Sequence, residues 1–190
     1  DMDGDRGAGD TGVDDILWGT GFTWDGSTDG DGDNRNWTDP LNWSADAGFP
    51  SQTNEAAFID NAAAQASGTI SLGRSLAIAS LFLAPDVTLD LGGSTLAVHE
   101  DVTVTDLGNG SAAITGSGWL LTGGEANSAM EVADTTNDAL LVDRWRIDSS
   151  GSGTTIQLAA GVHVRVMKAL HWVNSGTFTL ANGAQLDVPG

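Results

Sequence analysis

The sequence predicts an all-β chain that folds as a parallel β-helix, a β-solenoid in which successive coils stack along one axis. Three observations lead to this prediction. A short phrase recurs within residues 62–190, the apolar positions around it alternate as they do in half-buried strands, and Gly-rich turns separate the alternating runs. A repeat this short cannot bury its own apolar face, so each unit must stack on its neighbours.

The recurring phrase is a Leu-Ala pair, a turn, and a strand whose apolar residues alternate with others. It occupies residues 83–91, 158–166 and 180–188. The last two copies start 22 residues apart, from Leu158 to Leu180. The first two are separated by about three periods of 25 residues, so we expect coils of about 22 to 25 residues.

Short runs rich in β-branched residues follow one another from residue 69 onward. The predicted strands are residues 69–72, 81–83, 87–91, 95–98, 102–105, 112–115, 119–122, 130–133, 140–142, 145–147, 154–158, 162–166, 177–180 and 185–188. The Ala-rich residues 56–66 offer the one plausible helical turn. A β-sandwich is the alternative fold, because it also uses many short strands. The solenoid is favoured because the phrase recurs at coil spacing and the alternating residues are small and uniform.

Composition divides the chain into three predicted regions. Residues 1–15 consist largely of Asp and Gly and form an acidic arm or linker that cannot fold by burial. Residues 16–61 carry four of the seven Trp and form a compact aromatic cap. Residues 62–190 form the solenoid.

Charge and residue usage restrict the partners and the compartment. The net charge of −19 repels nucleic acid and anionic membrane surfaces, so we expect no nucleic-acid binding. The chain has no apolar run of the roughly 20 residues that a membrane-spanning helix needs, so we expect no membrane insertion. The absence of Cys is compatible with bacterial export. We therefore expect an extracellular or cell-surface piece of an exported protein.

Two clusters of aspartate predict calcium as the cofactor. Carboxylates at alternate positions of a Gly-rich turn can converge on Ca²⁺, which accepts six to eight oxygen ligands. A solvated acidic loop is the alternative for either cluster alone, but two clusters in one short segment leave a strong repulsion that a cation would relieve. The predicted ligands are Asp1, Asp3, Asp5, Asp10, Asp25, Asp29, Asp31, Asp33 and Asp39.

The first of these clusters, in residues 1–10, resembles the thrombospondin type 3 calcium repeats of bacterial surface proteins, whose pattern is Asp-x-Asp-x-Asp-Gly. It departs from that pattern by placing Arg6 where Gly is expected and one extra residue before Asp10. The resemblance implies a calcium-binding segment in which the register of the later ligands is open.

The aromatic region has a resemblance of its own. Residues 24–26, 36–44, 49–50 and 55–60 are similar to the pattern Trp…Trp-x-x-x-x-Asn-Trp…Pro…Asp-x-Ala-x-Phe. The segment resembles the entry module that precedes β-helical repeats in large bacterial autotransporter-type adhesins and other secreted surface proteins. This resemblance implies an exported, adhesive or structural β-helix without a catalytic centre.

Tryptophan beside Asp and Asn is also typical of sugar-binding faces, because a flat ring stacks on a pyranose. Trp37 and Trp43 are therefore candidate carbohydrate-binding residues, with packing in the cap as the alternative. Catalysis has little support, since the few basic residues of the solenoid are better explained as surface ion pairs, and we expect no enzyme activity.

Together these features predict a calcium-stabilised structural module of a bacterial cell-surface adhesin or extracellular filament. The last repeat strand, residues 185–188, carries no polar cap, so we expect this end to pair with more coils or with another subunit. The expected partners are copies of the chain or adjacent repeats, with surface glycans as further candidates. The alternative function is a carbohydrate-binding module of a secreted protein.

Overall fold

The computed structural model describes residues 20–44, 46–104, 110–123, 129–134, 139–148, 155–173 and 177–188. These residues form a β-solenoid with an aromatic cluster at its N-terminal end. Every pair of named strands is parallel. The predicted parallel β-helix is thus confirmed, and the β-sandwich alternative is wrong because a sandwich is built from antiparallel sheets.

The described strands are short, apart from two long ones near the C-terminal end. They are β1 Gly21–Thr23, β2 Ala56–Ile59, β3 Thr69–Ser71, β4 Leu76–Ile78, β5 Leu81–Leu83, β6 Thr88–Asp90, β7 Thr95–Val98, β8 Val102–Val104, β9 Ala113–Thr115, β10 Trp119–Gly123, β11 Ala129–Asp134, β12 Ala139–Asp148, β13 Thr155–Leu158, β14 His163–Val173, β15 Thr177–Leu180 and β16 Gln185–Asp187.

Each coil contributes strands to three rows that run along the axis. The first row is one sheet in the order β1-β2-β5-β8-β11-β13-β15. The second row contains β3, β6 and β9, and the third contains β4, β7 and β10. These two rows join at β12 and β14, since the first half of β12 pairs with β9 and its second half pairs with β10. The strand β16 continues the second row beside β14.

The coils are less regular than the sequence predicts. Leu158 pairs with Leu180, which confirms the 22-residue spacing of the last two copies of the phrase. Paired residues of β3 and β6 are only 19 residues apart, as with Thr69 and Thr88. Those of β8 and β11 are 30 residues apart. The stacked strands keep a regular pairing, and the turns between them differ in length from coil to coil.

The core is a set of inward-facing aliphatic rows. In the second row Ile70 pairs with Leu89 and Leu89 with Ile114, and all three side chains are buried. Their neighbours along each strand are polar or small and point outward, since successive side chains of a strand alternate between its two faces. At about 25 cal/mol per Å² of buried apolar surface, this repeated stacking is the main source of stability.

The structure differs from the predicted elements in residues 56–66. Residues 56–59 form strand β2, and the helix α1 spans Ala62–Ser67. Its N-cap is Asn61, whose Oδ1 accepts a hydrogen bond from the Ala64 N–H at 3.0 Å. No helix in the described part of the chain has the length and hydropathy needed to cross a membrane.

The N-terminal cap covers two of the three rows. Strand β1 pairs with β2 in the first row. Residues 35–37 cover β3 in the second, where Ser71 N–H donates to the Arg35 carbonyl at 2.7 Å and Trp37 N–H donates to the Ser71 carbonyl at 2.9 Å. In the third row β4 is the edge strand, with β7 as its one partner among the described strands.

Candidate functional site

Three tryptophans form the centre of the cap. Trp24, Trp37 and Trp43 are fully buried, and the Trp43 ring meets the other two edge-on with centroids 5.1 and 5.0 Å away. Each indole N–H has an acceptor: Ser67 Oγ for Trp24, the Pro50 carbonyl for Trp37 and the Trp37 carbonyl for Trp43. Edge-to-face packing with satisfied N–H groups is typical of a structural core.

This burial bears directly on the carbohydrate-binding alternative. Neither Trp37 nor Trp43 has a ring face open to solvent, so a sugar cannot stack on either ring in this structure. The alternative therefore loses the two residues on which it depended.

A buried amide organises the acidic loop of residues 25–36. Asn42 is fully buried, and its Oδ1 accepts a hydrogen bond from the Asn34 N–H at 2.8 Å. Its Nδ2 donates to Asp33 Oδ1 and to the Asn36 carbonyl, both at 2.8 Å. The loop is thus wrapped around one side chain whose hydrogen-bonding groups are all used.

Two of the predicted calcium ligands, Asp33 and Asp39, accept hydrogen bonds from neighbouring groups of the cap. Burial disfavours the Asp33 carboxylate, but hydrogen bonds from the Asn42 side chain and from the N–H groups of Asn36 and Arg35 outweigh that effect and lower its pKa to about 2. Asp39 Oδ1 accepts from the Leu41 N–H at 3.1 Å and caps the 3-10 turn Pro40–Asn42. Neither residue belongs to the group of converging carboxylates formed by Asp25, Asp29 and Asp46.

Three other carboxylates do converge. Oxygen atoms of Asp25, Asp29 and Asp46 all lie within 4.8 Å of one another. Burial raises the pKa of Asp25, and the charges of Asp29 and Asp46 raise it further. A hydrogen bond with Asp29 raises the pKa of neighbouring Asp31. No basic group of the described residues contributes to these two shifts, so the repulsion among the acids is one that a bound cation would relieve.

Asp46 did not figure among the ligands predicted from sequence. It lies outside both aspartate clusters, but it follows Trp43 closely, as Asp25 follows Trp24. Trp24 and Trp43 form an antiparallel bridge, and this bridge brings the two acids together. The signal in the sequence was the pairing of each acid with a core tryptophan.

The donor set of the cluster suits a hard cation. Asp25 Oδ1 is inaccessible to solvent and has no hydrogen-bond partner within the part of the chain that the structure describes, although burying a bare carboxylate oxygen is costly. Two or three carboxylates at one point are the ligands that Ca²⁺ prefers. Asp25, Asp29 and Asp46 could hold such an ion, with Asp31 nearby. The predicted ligands Asp1, Asp3, Asp5 and Asp10 lie outside the described residues.

At the opposite end of the solenoid, side chains from interior rows are exposed. Leu158 is fully buried, whereas its partner Leu180 in the last coil is 51% exposed. Ile147 is likewise fully buried, whereas its partner Trp172 is 42% exposed. These residues occupy core positions that no further coil covers among the described residues.

The last strand of this end is held by charged groups. Asp187 Oδ2 lies 2.9 Å from His163 Nε2 and 3.5 Å from Arg165 Nε. Hydrogen bonds from Gln185 and His163 lower the pKa of Asp187. The strand β16 is therefore fixed on β14 by side-chain contacts as well as by the sheet.

Fold and site together define a β-solenoid with a tryptophan-centred cap, an acidic cluster beside it and an apolar end. No family model, curated protein or solved structure matches the chain.

Proposed function

We propose that the chain is a structural module of a bacterial cell-surface adhesin or extracellular filament, and that it extends by end-to-end β contacts. The observation that carries this proposal is the apolar end of the solenoid, where core positions such as Leu180 and Trp172 are exposed. Exposed apolar side chains mark interaction sites in soluble proteins when they form a large patch, and these two side chains belong to the same end of the solenoid.

The occupant that fits this end is another coil of the same cross-section. Within the chain, each coil covers the apolar positions of the one before it through parallel pairing, and the first and second rows continue in register up to β15 and β16. An added coil would cover Leu180 as Leu180 covers Leu158. Burying one such side chain contributes about 1.5 to 3 kcal/mol, and an end-to-end contact would bury several.

We expect the chain to associate through this end as its concentration rises. Sedimentation velocity in 0.15 M salt should show an average mass that increases with concentration. Leu180→Asp places a charge at the centre of the contact, so it should weaken association at least tenfold.

Met167 supplies the matched control, since it is also an exposed apolar residue, at 49%, but alternates along β14 with the buried Val166 and so lies on a side face of the solenoid. Met167→Asp should leave association unchanged. A wild-type chain that stays monomeric at every concentration, or an equal loss from both variants, would contradict end-to-end assembly.

The proposal includes one calcium ion bound by Asp25, Asp29 and Asp46. The raised pKa of Asp25 and its Oδ1 atom, for which the described residues offer no hydrogen-bond donor, support it, because a bound cation would compensate both the burial and the repulsion. The ion would join the segments that follow Trp24 and Trp43, and so would stabilise the cap at the N-terminal end of the solenoid.

Calcium should therefore raise the thermal stability of the cap. At a concentration about a hundredfold above the dissociation constant, binding contributes about 2.7 kcal/mol. For a chain of this size that corresponds to an increase in Tm of about 5 to 10 °C. Tryptophan fluorescence during heating, with calcium or with chelator, measures the change. Asp46→Asn should abolish it, whereas Asp90→Asn, which keeps the acceptor for the Gly92 N–H, should not.

Protonation of Asp25 at low pH should stabilise the cap in part, as bound calcium would. The folded-state pKa of Asp25 lies above its ordinary value of 3.8, so the folded cap binds protons more tightly than the unfolded chain does. In chelator, stability from this group should rise as the pH falls through the raised pKa towards 3.8. Asp46→Asn should reduce that rise, because it removes one of the charges responsible. A calcium effect that persists in Asp46→Asn would contradict the assigned ligands.

A further inference from the structure

The cap leaves one strand edge of the solenoid open. It covers β2 with β1 and covers β3 with residues 35–37, but the outer edge of β4 has no strand beside it in the described part of the chain. An unpaired edge offers backbone N–H and C=O groups to another extended segment.

The direction of the backbone groups along β4 follows from two hydrogen bonds. His99 N–H donates to the Ile78 carbonyl at 3.1 Å, so Ile78 and, two residues before it, Leu76 bond towards β7. Ala79 N–H donates to the Glu55 carbonyl at 2.7 Å, on the opposite side. Alternation along a parallel strand therefore turns the N–H and C=O of Ala77 to the open edge as well.

A groove of about 440 Å³ lies along this edge. Its lining residues are Ser51, Gln52, Arg74, Ser75, Leu76, Ala77 and Thr95. One wall is fixed in place, because Glu55 Oε2 accepts hydrogen bonds from the N–H groups of Ser51 and Gln52 at 2.6 and 2.9 Å. The Glu55 carboxylate is thus engaged with the wall of the groove.

Arg74 gives the groove a positive charge in a strongly acidic protein. Its guanidinium carbon lies 5.0 Å from the centre of the Phe49 ring, a cation–π contact that holds the side chain beside the groove. The ion pairs within the described residues involve other basic groups and leave Arg74 without a carboxylate partner. An acidic group on a ligand would complete the pair.

We propose that this groove binds an extended peptide segment of a partner protein, which adds to the solenoid as a strand beside β4. The peptide runs parallel to β4, just as the two strands of every described pair run parallel to each other. It carries an acidic residue at its N-terminal end, next to Arg74. Its backbone bonds to Ala77, and main-chain bonds of this type supply affinity in strand addition while side-chain pockets supply specificity.

The packing beneath the groove restricts the peptide further. Leu76 is only 9% exposed and Ile78 is fully buried, because the cap already fills the interior above them. Inward positions of the peptide must therefore be small, and its outward positions are free. A peptide with the sequence Asp-Ala-Val-Ala-Thr meets these conditions when its valine lies opposite Ala77.

The test uses the acetylated and amidated peptide Asp-Ala-Val-Ala-Thr as the probe in 0.15 M salt, where the Debye length of about 8 Å limits the influence of distant charges. Amide NMR spectra of the chain should change at Ser75, Ala77 and Gln52. Arg74→Gln should weaken binding about fivefold, the size of a partly exposed ion pair. Arg35→Gln, the same change at an exposed arginine of the cap, should leave binding unchanged.

A second probe separates strand addition from charge attraction. Methylation of the nitrogen of the alanine after valine removes the N–H that would reach the Ala77 carbonyl, so this peptide should no longer bind. Equal binding of the methylated peptide, or no spectral change with the first peptide at millimolar concentration, would overturn the proposal. So would changes at the same amides with trigalacturonate and none with the peptide, since that result would make the groove a site for acidic sugars. None of these outcomes depends on whether copies of the solenoid associate end to end.

Discussion

Gly118→Ala should unfold the middle of the solenoid at a markedly lower temperature. A Cβ atom at Gly118 would overlap the carbonyl oxygen of Ser94 and lie 2.8 Å from its carbonyl carbon. Both atoms belong to the backbone of the neighbouring coil, so no side-chain rotation can relieve the contact. Overpacking costs about 1 to 3 kcal/mol and occasionally more, and we expect at least the upper end of that range.

The reason lies in how successive corners of the solenoid meet. Between β6 and β7 the chain turns at Gly92, and the carbonyl of Gly92 accepts hydrogen bonds from the N–H groups of Ser117 and Gly118 at 2.6 and 2.8 Å. Trp119 N–H donates to the Ser94 carbonyl at 3.2 Å. Backbone contacts this close leave no room for a Cβ atom, and widening them would also separate β7 from β10.

Gly93→Ala is the matched control because Gly93 belongs to the same corner. A Cβ atom there would meet only the Ser117 hydroxyl at 3.8 Å, an ordinary contact. Calorimetry should show that Gly118→Ala lowers the Tm by about 6 to 12 °C. Gly93→Ala should change the free energy of unfolding by no more than about 0.5 kcal/mol. Equal effects would mean that the corner is flexible enough to move apart.

The sequence predicted the fold because the stacking has a local signature. Inward and outward residues alternate within each short strand, and the phrase at Leu158 and Leu180 repeats with the same spacing as the paired strands. These features depend on a few neighbouring residues and are visible without a structure. The alternating character of the strands sets the fold class even where single strands are missed.

The sequence could not give the register, because coil lengths vary. Leu83 pairs with Val104, and that row continues to Asp134, whereas Leu158 pairs with Val132. The first copy of the phrase is thus two residues out of register with the second. Turns of different length between strands carry no periodic signal, so only the stacked structure shows the offset.

Some strands owe their conformation to their neighbours. The second half of β14, which includes Lys168, Ala169 and Leu170, has residues with good helical propensity. It is extended because it pairs along its length with the second half of β12. Strand β4 was missed for a related reason, since its pairing with β7 is what defines these three residues as a strand.

The candidate site, like the fold, was only partly predictable from the sequence. The concentration of aspartate around residues 25–39 was evident, but which acids converge depends on the bridge between Trp24 and Trp43. Asp33, spaced like a ligand, is instead bound to Asn42. Spacing along the chain cannot separate an acid that binds a cation from one that accepts hydrogen bonds from its own loop.

Asn42 connects these parts of the cap, so changing it should have the other large effect. Its side chain holds Asp33, Asn34 and Asn36, and its backbone carbonyl accepts hydrogen bonds from the N–H groups of Asp25 and Gly26 at 3.1 and 3.2 Å. The residue is the last of the 3-10 turn Pro40–Asn42 and directly precedes Trp43. Loss of its amide would therefore disturb the acidic loop and the tryptophan cluster together.

Asn42→Asp tests this role without creating a cavity, since the two side chains have nearly the same shape. The change replaces the Nδ2 donor of this buried side chain with a carboxylate oxygen that faces Asp33 Oδ1 and the Asn36 carbonyl, so the new charge is buried without a donor. Unsatisfied buried groups cost about 1 to 3 kcal/mol each, and more when charged, so we expect a loss of about 3 to 5 kcal/mol at pH 7. The pKa of Asp33, now about 2, should rise because its strongest hydrogen bond is gone.

Denaturant unfolding followed by tryptophan fluorescence measures the loss, and Asn54→Asp at an exposed position controls for the added charge. Lowering the pH should restore part of the stability of Asn42→Asp, because a protonated carboxyl group can again donate a hydrogen bond to Asp33. That recovery would not occur if the substitution acted only by perturbing the packing of Trp43. A variant as stable as the wild type at pH 7 would show that the loop is held by its backbone contacts, with the Asn42 amide contributing little.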